Sequence, residues 1–209
     1  MPKGFSPKEK EIIQQRLLLS GSRLFSTFGY KKTNIEELAK AAGISKGAFY
    51  LFYPSKEALY MDVIEQAEHE FRQDILAAIT QPGHSPRVRL YRVLHQAFTL
   101  WQDIPVLQFF TSSDFDLLLR TFPTELVQQH LTSDQVFFHQ FVAQCQQHGI
   151  PIQVEVEQIG SLFYTLVLAS LKEEFLDPED TSVAIDILLE LVAAYLLGEI
   201  SLQAADLPA

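Results

Sequence analysis

The sequence predicts an all-α fold, and three observations carry that prediction. Apolar residues recur at intervals of three and four through nearly every long segment, while no run alternates with period two for long. Helix-start signatures recur along the chain, at Ser6-Pro7-Lys8-Glu9, Thr33-Asn34-Ile35-Glu36 and Ser85-Pro86. Gly29 and Gly43 stand where helical patterns stop, as residues free to adopt a left-handed conformation. About nine helices are expected: an N-terminal head of three, residues 1–60, and a larger C-terminal helical domain, residues 61–209.

The first helix starts at the Ser6 cap and buries Ile13, Leu17, Leu24, Phe25 and Phe28 before Gly29 ends it. Gly21 sits in its middle at a cost of about 1 kcal/mol relative to alanine, which implies a close helix contact there. The second helix opens with Thr33 as cap and Glu36 as its capping-box partner, and buries Ile35, Leu38, Ala39 and Ala42. Only Gly43 and Ile44 separate it from Ser45, the cap of a short third helix, so the two are joined with almost no slack. That is the sequence form of a helix-turn-helix, whose second helix enters the DNA major groove. From Ser55 a fourth helix runs to about Thr80, long enough to belong to both domains. Gln81-Pro82-Gly83-His84-Ser85-Pro86 breaks the chain, and further helices are expected at about 86–102, 105–120, 124–148, 154–176 and 181–200.

Composition narrows the possible partners. With 209 residues, 47% of them apolar, the chain can bury a substantial core and does not resemble a disordered one. No segment reaches the ~18 apolar residues of a membrane span, and the start lacks the apolar stretch of a signal peptide, so a cytoplasmic protein without membrane contact is expected. Cys145 is the single cysteine and has no partner for an internal disulfide. The formal net charge of −10 hides an asymmetry: residues 1–56 hold ten Lys/Arg against four Glu, a net +6, and the remainder holds six against 22 acids, a net −16. A basic head on an acidic body suits a polyanion-binding segment, although a solvated charge gradient gives the same count.

The stretch GISKGAFYLFYPSKEALY, residues 43–60, has the chemistry of a helix laid against a duplex. Gly47 and Ala48 allow close backbone approach, and Ala48 can touch a thymine methyl. No glutamate stands at Ala48, where a capping box would place one and where it would face phosphates. Lys46 and Lys56 can neutralise phosphates, and the hydroxyls of Thr33, Ser45 and Tyr50 can donate to them. Phe49 and Phe52 are suited to anchoring the short helix, while Leu51 and Tyr53 can face either way.

The run Thr33-x-Ile35-x-x-Leu38-Ala39-x-x-Ala42-Gly43-Ile44-Ser45-Lys46-Gly47-x-x-Tyr50-x-x-Tyr53-Pro54-Ser55-Lys56-Glu57-Ala58-Leu59 strongly resembles the TetR family of transcriptional regulators, over roughly residues 10–64. Two departures are visible: Ser20-Gly21-Ser22 in the middle of the first helix, and Ala48 where a hydroxyl residue is common. The resemblance implies a homodimer that places two recognition helices on a palindromic double-stranded DNA operator, usually repressing transcription. It also implies a C-terminal domain that binds a small-molecule effector and dimerises. On it, Thr33, Ser45, Lys46, Gly47, Ala48, Tyr50, Leu51 and Lys56 are the DNA-contacting candidates. No cofactor and no metal is expected.

Outside the head the readings rest on pattern. Among the aromatics of residues 98–141, Trp101, Phe109, Phe110, Phe115, Phe138 and Phe141 are candidates for lining an apolar effector pocket, although any single one of them reads more readily as core. The last two helices leave little polar surface, so Leu166, Ser170, Leu188, Val192 and Tyr195 are candidates for a two-chain interface, with a large monomeric core as the alternative. A DNA-binding adaptor answering to a protein partner is a second functional reading. An enzyme would have to use Cys145 with His148, three residues apart on one helix, or with His130 or His139, and no orienting third group accompanies them.

Overall fold

The computed structural model describes residues 5–106, 120–170 and 178–200, with side chains described for all of these except 167–170 and 178–181. Among the described residues there are eight helices and no strand: α1 Pro7–Lys32, α2 Ile35–Ala42, α3 Lys46–Phe49, α4 Lys56–Ile79, α5 Pro86–Gln102, α6 Thr124–Gln147, α7 Val156–Ser170 and α8 Pro178–Leu196. The helix expected at 105–120 falls almost wholly outside the described residues, as do Phe109, Phe110 and Phe115.

Side chains set the helix starts. The Ser6 hydroxyl accepts from the Glu9 backbone N–H and the Glu9 carboxylate accepts from that of Ser6, a closed capping box over Pro7 at the first helical position. Ser45, Ser55 and Ser85 each accept from a backbone N–H three residues on. The start of α2 differs from the expected one by a single residue. Asn34, not Thr33, is the cap: its side chain accepts from the Glu37 N–H at 2.9 Å, and Glu37 rather than Glu36 closes the box. Gly29, at φ 76°, breaks α1 near its end, and Gly43, at φ 79°, ends α2 in the left-handed region.

α4 holds the molecule together, packing on α1 at its head end and on α5 and α6 along its body. Leu17, Phe25, Leu38, Phe49 and Leu59, all fully buried, form the head core. A methyl group on Gly21 would stand 3.1 Å from Val63 Cγ2 and 3.4 Å from Leu59 Cγ, so the mid-helix glycine permits the close crossing of α1 and α4. In the body α5 packs on α8 and α6 on α7. Arg89 ties two helix ends to α5, donating to the carbonyls of Ile79 at 2.9 Å and His148 at 2.8 Å.

Candidate DNA-binding head and effector cavity

In the turn between α2 and α3, the Gly43 N–H donates to the Lys40 carbonyl and the Ile44 N–H to that of Ala39, at 3.1 and 2.9 Å. Ser45 then caps α3, its hydroxyl accepting from Ala48 N–H at 3.2 Å. Two aromatics fix the short helix from below: Phe49 is fully buried, and Tyr53 is buried with its hydroxyl donating to Asp62 at 2.9 Å. Residues 46, 47, 50 and 51 face out, with Tyr50 50% and Leu51 70% exposed. A Cβ on Gly47 would meet nothing within 4 Å, so nothing inside the protein requires glycine there. The outer face thus offers an ammonium, a bare backbone, a phenol and an isobutyl group on a rigidly seated helix.

Thr33 and Lys56 do not join that face as expected. Thr33 is 2% exposed and its hydroxyl donates to the Gly29 carbonyl at 2.9 Å, because the cap position it was expected to fill belongs to Asn34. Lys56 Nζ donates to the carbonyls of Tyr30 and Thr33 at 2.9 and 3.0 Å and lies 4.0 Å from the Tyr30 ring centroid. These carbonyls sit at the end of α1, where they lack helical partners, and the ammonium satisfies them. Its partial burial lowers its pKa, with the Glu57 carboxylate opposing that shift. Next to it the Tyr30 hydroxyl donates to Glu57, and the Tyr30 ring packs on Tyr60 and Phe122 at 5.0 and 5.4 Å. Head and body meet at that ring.

In the body an apolar cavity of about 50 Å³ lies among α4 to α8, lined by residues that include Phe71, Phe98, Phe138, Phe141, Phe163, Leu166, Leu189 and Val192. Every lining side chain is apolar. Of the expected lining residues, Phe138 and Phe141 are present, and Trp101 stands one layer back, packed on Phe71 and Phe163 at 5.9 and 5.4 Å. Drug-sized ligands occupy roughly 300–1,000 Å³, so this cavity must widen to hold one.

Two expected interface residues, Leu166 and Val192, line this cavity and therefore face into their own chain. Gly160 also packs inward, where a Cβ would be 3.2 Å from Phe138. Leu188 is exposed, and the Tyr195 hydroxyl donates to Gln158 at 3.2 Å, joining α8 to α7. The side chain of Ser170 lies outside the described residues. The outward stripe of α8 consists of Val183, Ile187 and Leu191, spaced by four and each at least 50% exposed, with Leu188 beside them. Sequence reading missed this stripe because the helix is apolar on nearly every side, and spacing cannot choose between two apolar faces.

A polar cluster between α4 and α6 also escaped the sequence. Glu65, Glu68 and Arg72 of α4 meet His130, Ser133 and Asp134 of α6, and the Tyr164 hydroxyl of α7 donates to Asp134. Burial raises the Glu68 carboxyl to about 7, against the pull of His130 and Arg72. Burial lowers the His130 pKa, but the bond to Glu65 and the carboxylates of Glu68 and Asp134 prevail and bring it to about 9. Cys145, the candidate nucleophile, is fully buried, and burial raises its thiol to about 12. Such a thiol carries no nucleophilic thiolate at neutral pH.

A capped two-helix unit with a three-residue turn, on the basic end of an all-helical chain, defines the class of helix-turn-helix regulators. The family model described as "Bacterial regulatory proteins, tetR family" matches residues 17–63. The uncharacterised HTH-type transcriptional regulator YuxN of Bacillus subtilis is 42% identical over 80 residues, 38% of this chain and 25% of its own length. RutR of Escherichia coli K12 is 41% identical over 61 residues, 29% and 26% of the two chains. The matched segment thus spans about a quarter of the length of these curated relatives. The fold likeness is wider. A Thermus thermophilus FadR, a TetR-family repressor solved in complex with lauroyl-CoA, matches with TM-score 0.61 at 22% identity over 94% of this chain and 99% of that one. A protein of Mesorhizobium loti described as a TetR-family regulator matches with TM-score 0.64 at 15% identity, over 92% and 98%. These relatives are transcriptional regulators rather than enzymes.

Proposed function

We propose that this chain is a cytoplasmic transcriptional repressor. It binds a palindromic operator as a homodimer through residues 1–60, and an apolar effector held by residues 61–209 releases it. The observation that carries the reading is the outward face of α3: Lys46, Gly47, Tyr50 and Leu51 exposed on a helix that Phe49 and Tyr53 hold from behind. Lys46 neutralises phosphate, Ser45 and Tyr50 donate to phosphate oxygens, and Gly47, Ala48 and Leu51 approach base edges and methyl groups. The exposed stripe Val183, Ile187, Leu191 with Leu188 supports pairing of two α8 helices, since apolar rows of this kind on a surface mark interaction sites.

The all-apolar lining of the cavity supports a ligand with a hydrocarbon portion, and the lauroyl-CoA held by T. thermophilus FadR carries one. A ligand that widens the cavity by displacing Phe71 or Ile75 moves α4, the helix that starts at the head. Reciprocity then requires operator DNA to weaken that ligand by the same factor. The test is fluorescence anisotropy of labelled operator DNA, recovered by selection, with and without lauroyl-CoA or a free fatty acid. The reading expects salt-sensitive binding that the ligand weakens; binding of random and selected DNA with equal affinity contradicts it.

A further inference from the structure

Four ligand-type side chains meet between α4 and α6. Glu65 and Glu68 are three apart on one helix, and His130 and Asp134 four apart on the other, so each helix turns a pair toward its neighbour. One oxygen each from Glu65 and Glu68 and a ring nitrogen of His130 lie within 4.8 Å of one another. His130 Nδ1 stands 2.8 Å from Glu65 Oε1. An ionised carboxylate only accepts, which assigns a proton to Nδ1 and makes Nε2 the ring atom available to a ligand. Nε2 faces Glu68 Oε1 at 3.7 Å and Asp134 Oδ2 at 3.6 Å. Both spacings are too long for hydrogen bonds, yet close to the ~3.4 Å between two ligands of one tetrahedral ion with bonds of about 2.1 Å.

The outer shell is also in place. Arg72 Nη2 donates to Glu68 Oε2 at 2.8 Å and to Asp134 Oδ1, and the Tyr164 hydroxyl donates to Asp134 Oδ2, so both carboxylates are oriented from behind as metal ligands commonly are. Three carboxylates face one guanidinium and one imidazole, so an ion that binds here takes the place of a proton on His130.

We infer that Glu65, Glu68 and His130, whose ligand atoms lie within 4.8 Å of one another, bind a divalent transition-metal ion between α4 and α6, with Asp134 beside the imidazole as a fourth ligand. One imidazole with carboxylates suits Zn²⁺ and its first-row neighbours rather than soft Cu⁺. The ion fastens the middle of the head-to-body helix to α6. Its effect on DNA rests on the regulator reading, while its binding does not.

The test uses the full chain, freed of metal with a chelator and titrated with ZnCl₂ in the absence of DNA. Calorimetry and metal analysis after dialysis should give one tightly held ion per chain and a raised melting temperature. His130→Ala and Glu68→Gln should each weaken binding by more than tenfold, and Glu65→Gln by about tenfold. Glu68→Gln removes a buried carboxylate, so its metal-free melting temperature should hold or rise while the zinc-induced shift disappears, which separates a lost ligand from a lost fold. X-ray absorption should show an N/O shell containing one imidazole. Absence of stoichiometric binding overturns the inference, as does binding that survives both His130→Ala and Glu68→Gln within threefold, an adventitious ion only. Either failure leaves the regulator reading standing.

Discussion

The ammonium of Lys56 is fastened to Tyr30: Nζ donates to the Tyr30 carbonyl at 2.9 Å and lies 4.0 Å from its ring centroid. A lysine that closes the end of α1 acts on DNA chiefly through the placement of the head. Lys56→Ala should therefore destabilise the chain by about 1–2 kcal/mol, the loss of charge-assisted hydrogen bonds, and weaken operator binding with little change in its salt slope. Lys46→Ala should leave stability unchanged and lower the slope by about one ion. Urea midpoints, with affinities measured at several salt concentrations, separate the two.

The same clasp should respond to acid. Burial acts to raise the Glu57 pKa, but bonds from Tyr30, its own backbone and Ser55, together with the Lys56 charge, outweigh it and lower the value below 4.5. A carboxylate depressed in the folded state contributes stability that is present above pH 4.5 and lost as pH falls through the lower folded value. Tyr30→Phe deletes one of those bonds. The drop in urea midpoint between pH 7 and pH 3.5 should be smaller in the variant than in the unmodified protein.

The crossing of α1 and α4 depends on the missing side chain at Gly21, where a Cβ would stand 3.1 Å from Val63 Cγ2. Gly21→Val should cost about 1–3 kcal/mol through overpacking. Adding Val63→Ala should recover part of that loss, although Val63→Ala alone destabilises, and a double-mutant cycle reads the difference.

Two positions on α8 should behave oppositely. Val192 lines the apolar cavity, so Val192→Asp buries an unpaired charge and should unfold the chain. Ile187 is 56% exposed, so Ile187→Asp should keep the helical signal and melting behaviour of a folded protomer while sedimentation shows a monomer. An Ile187→Asp protein that remains dimeric removes the stripe from the interface.

How much of this was legible follows from the range of each interaction. The caps at Ser6, Ser45, Ser55 and Ser85 were readable because donor and acceptor lie three residues apart. The cap of α2 slipped by one because Thr33 and Asn34 are both capping residues and each has a glutamate three residues on. The role of Lys56 depends on carbonyls 23 and 26 residues away that are free only because α1 ends there. The α4–α6 cluster joins groups 62 and 65 residues apart, with nothing local to mark them as partners.

The central claim is that two copies of α3 read a two-fold symmetric operator. Its most direct test is selection of bound duplexes from random DNA by the unmodified protein, followed by sequencing. The account predicts an enriched inverted repeat whose half-sites are centred about one helical turn apart, and loss of that enrichment in a Gly47→Glu variant that still folds. Recovery of no inverted repeat, or of the same repeat by Gly47→Glu, would contradict it.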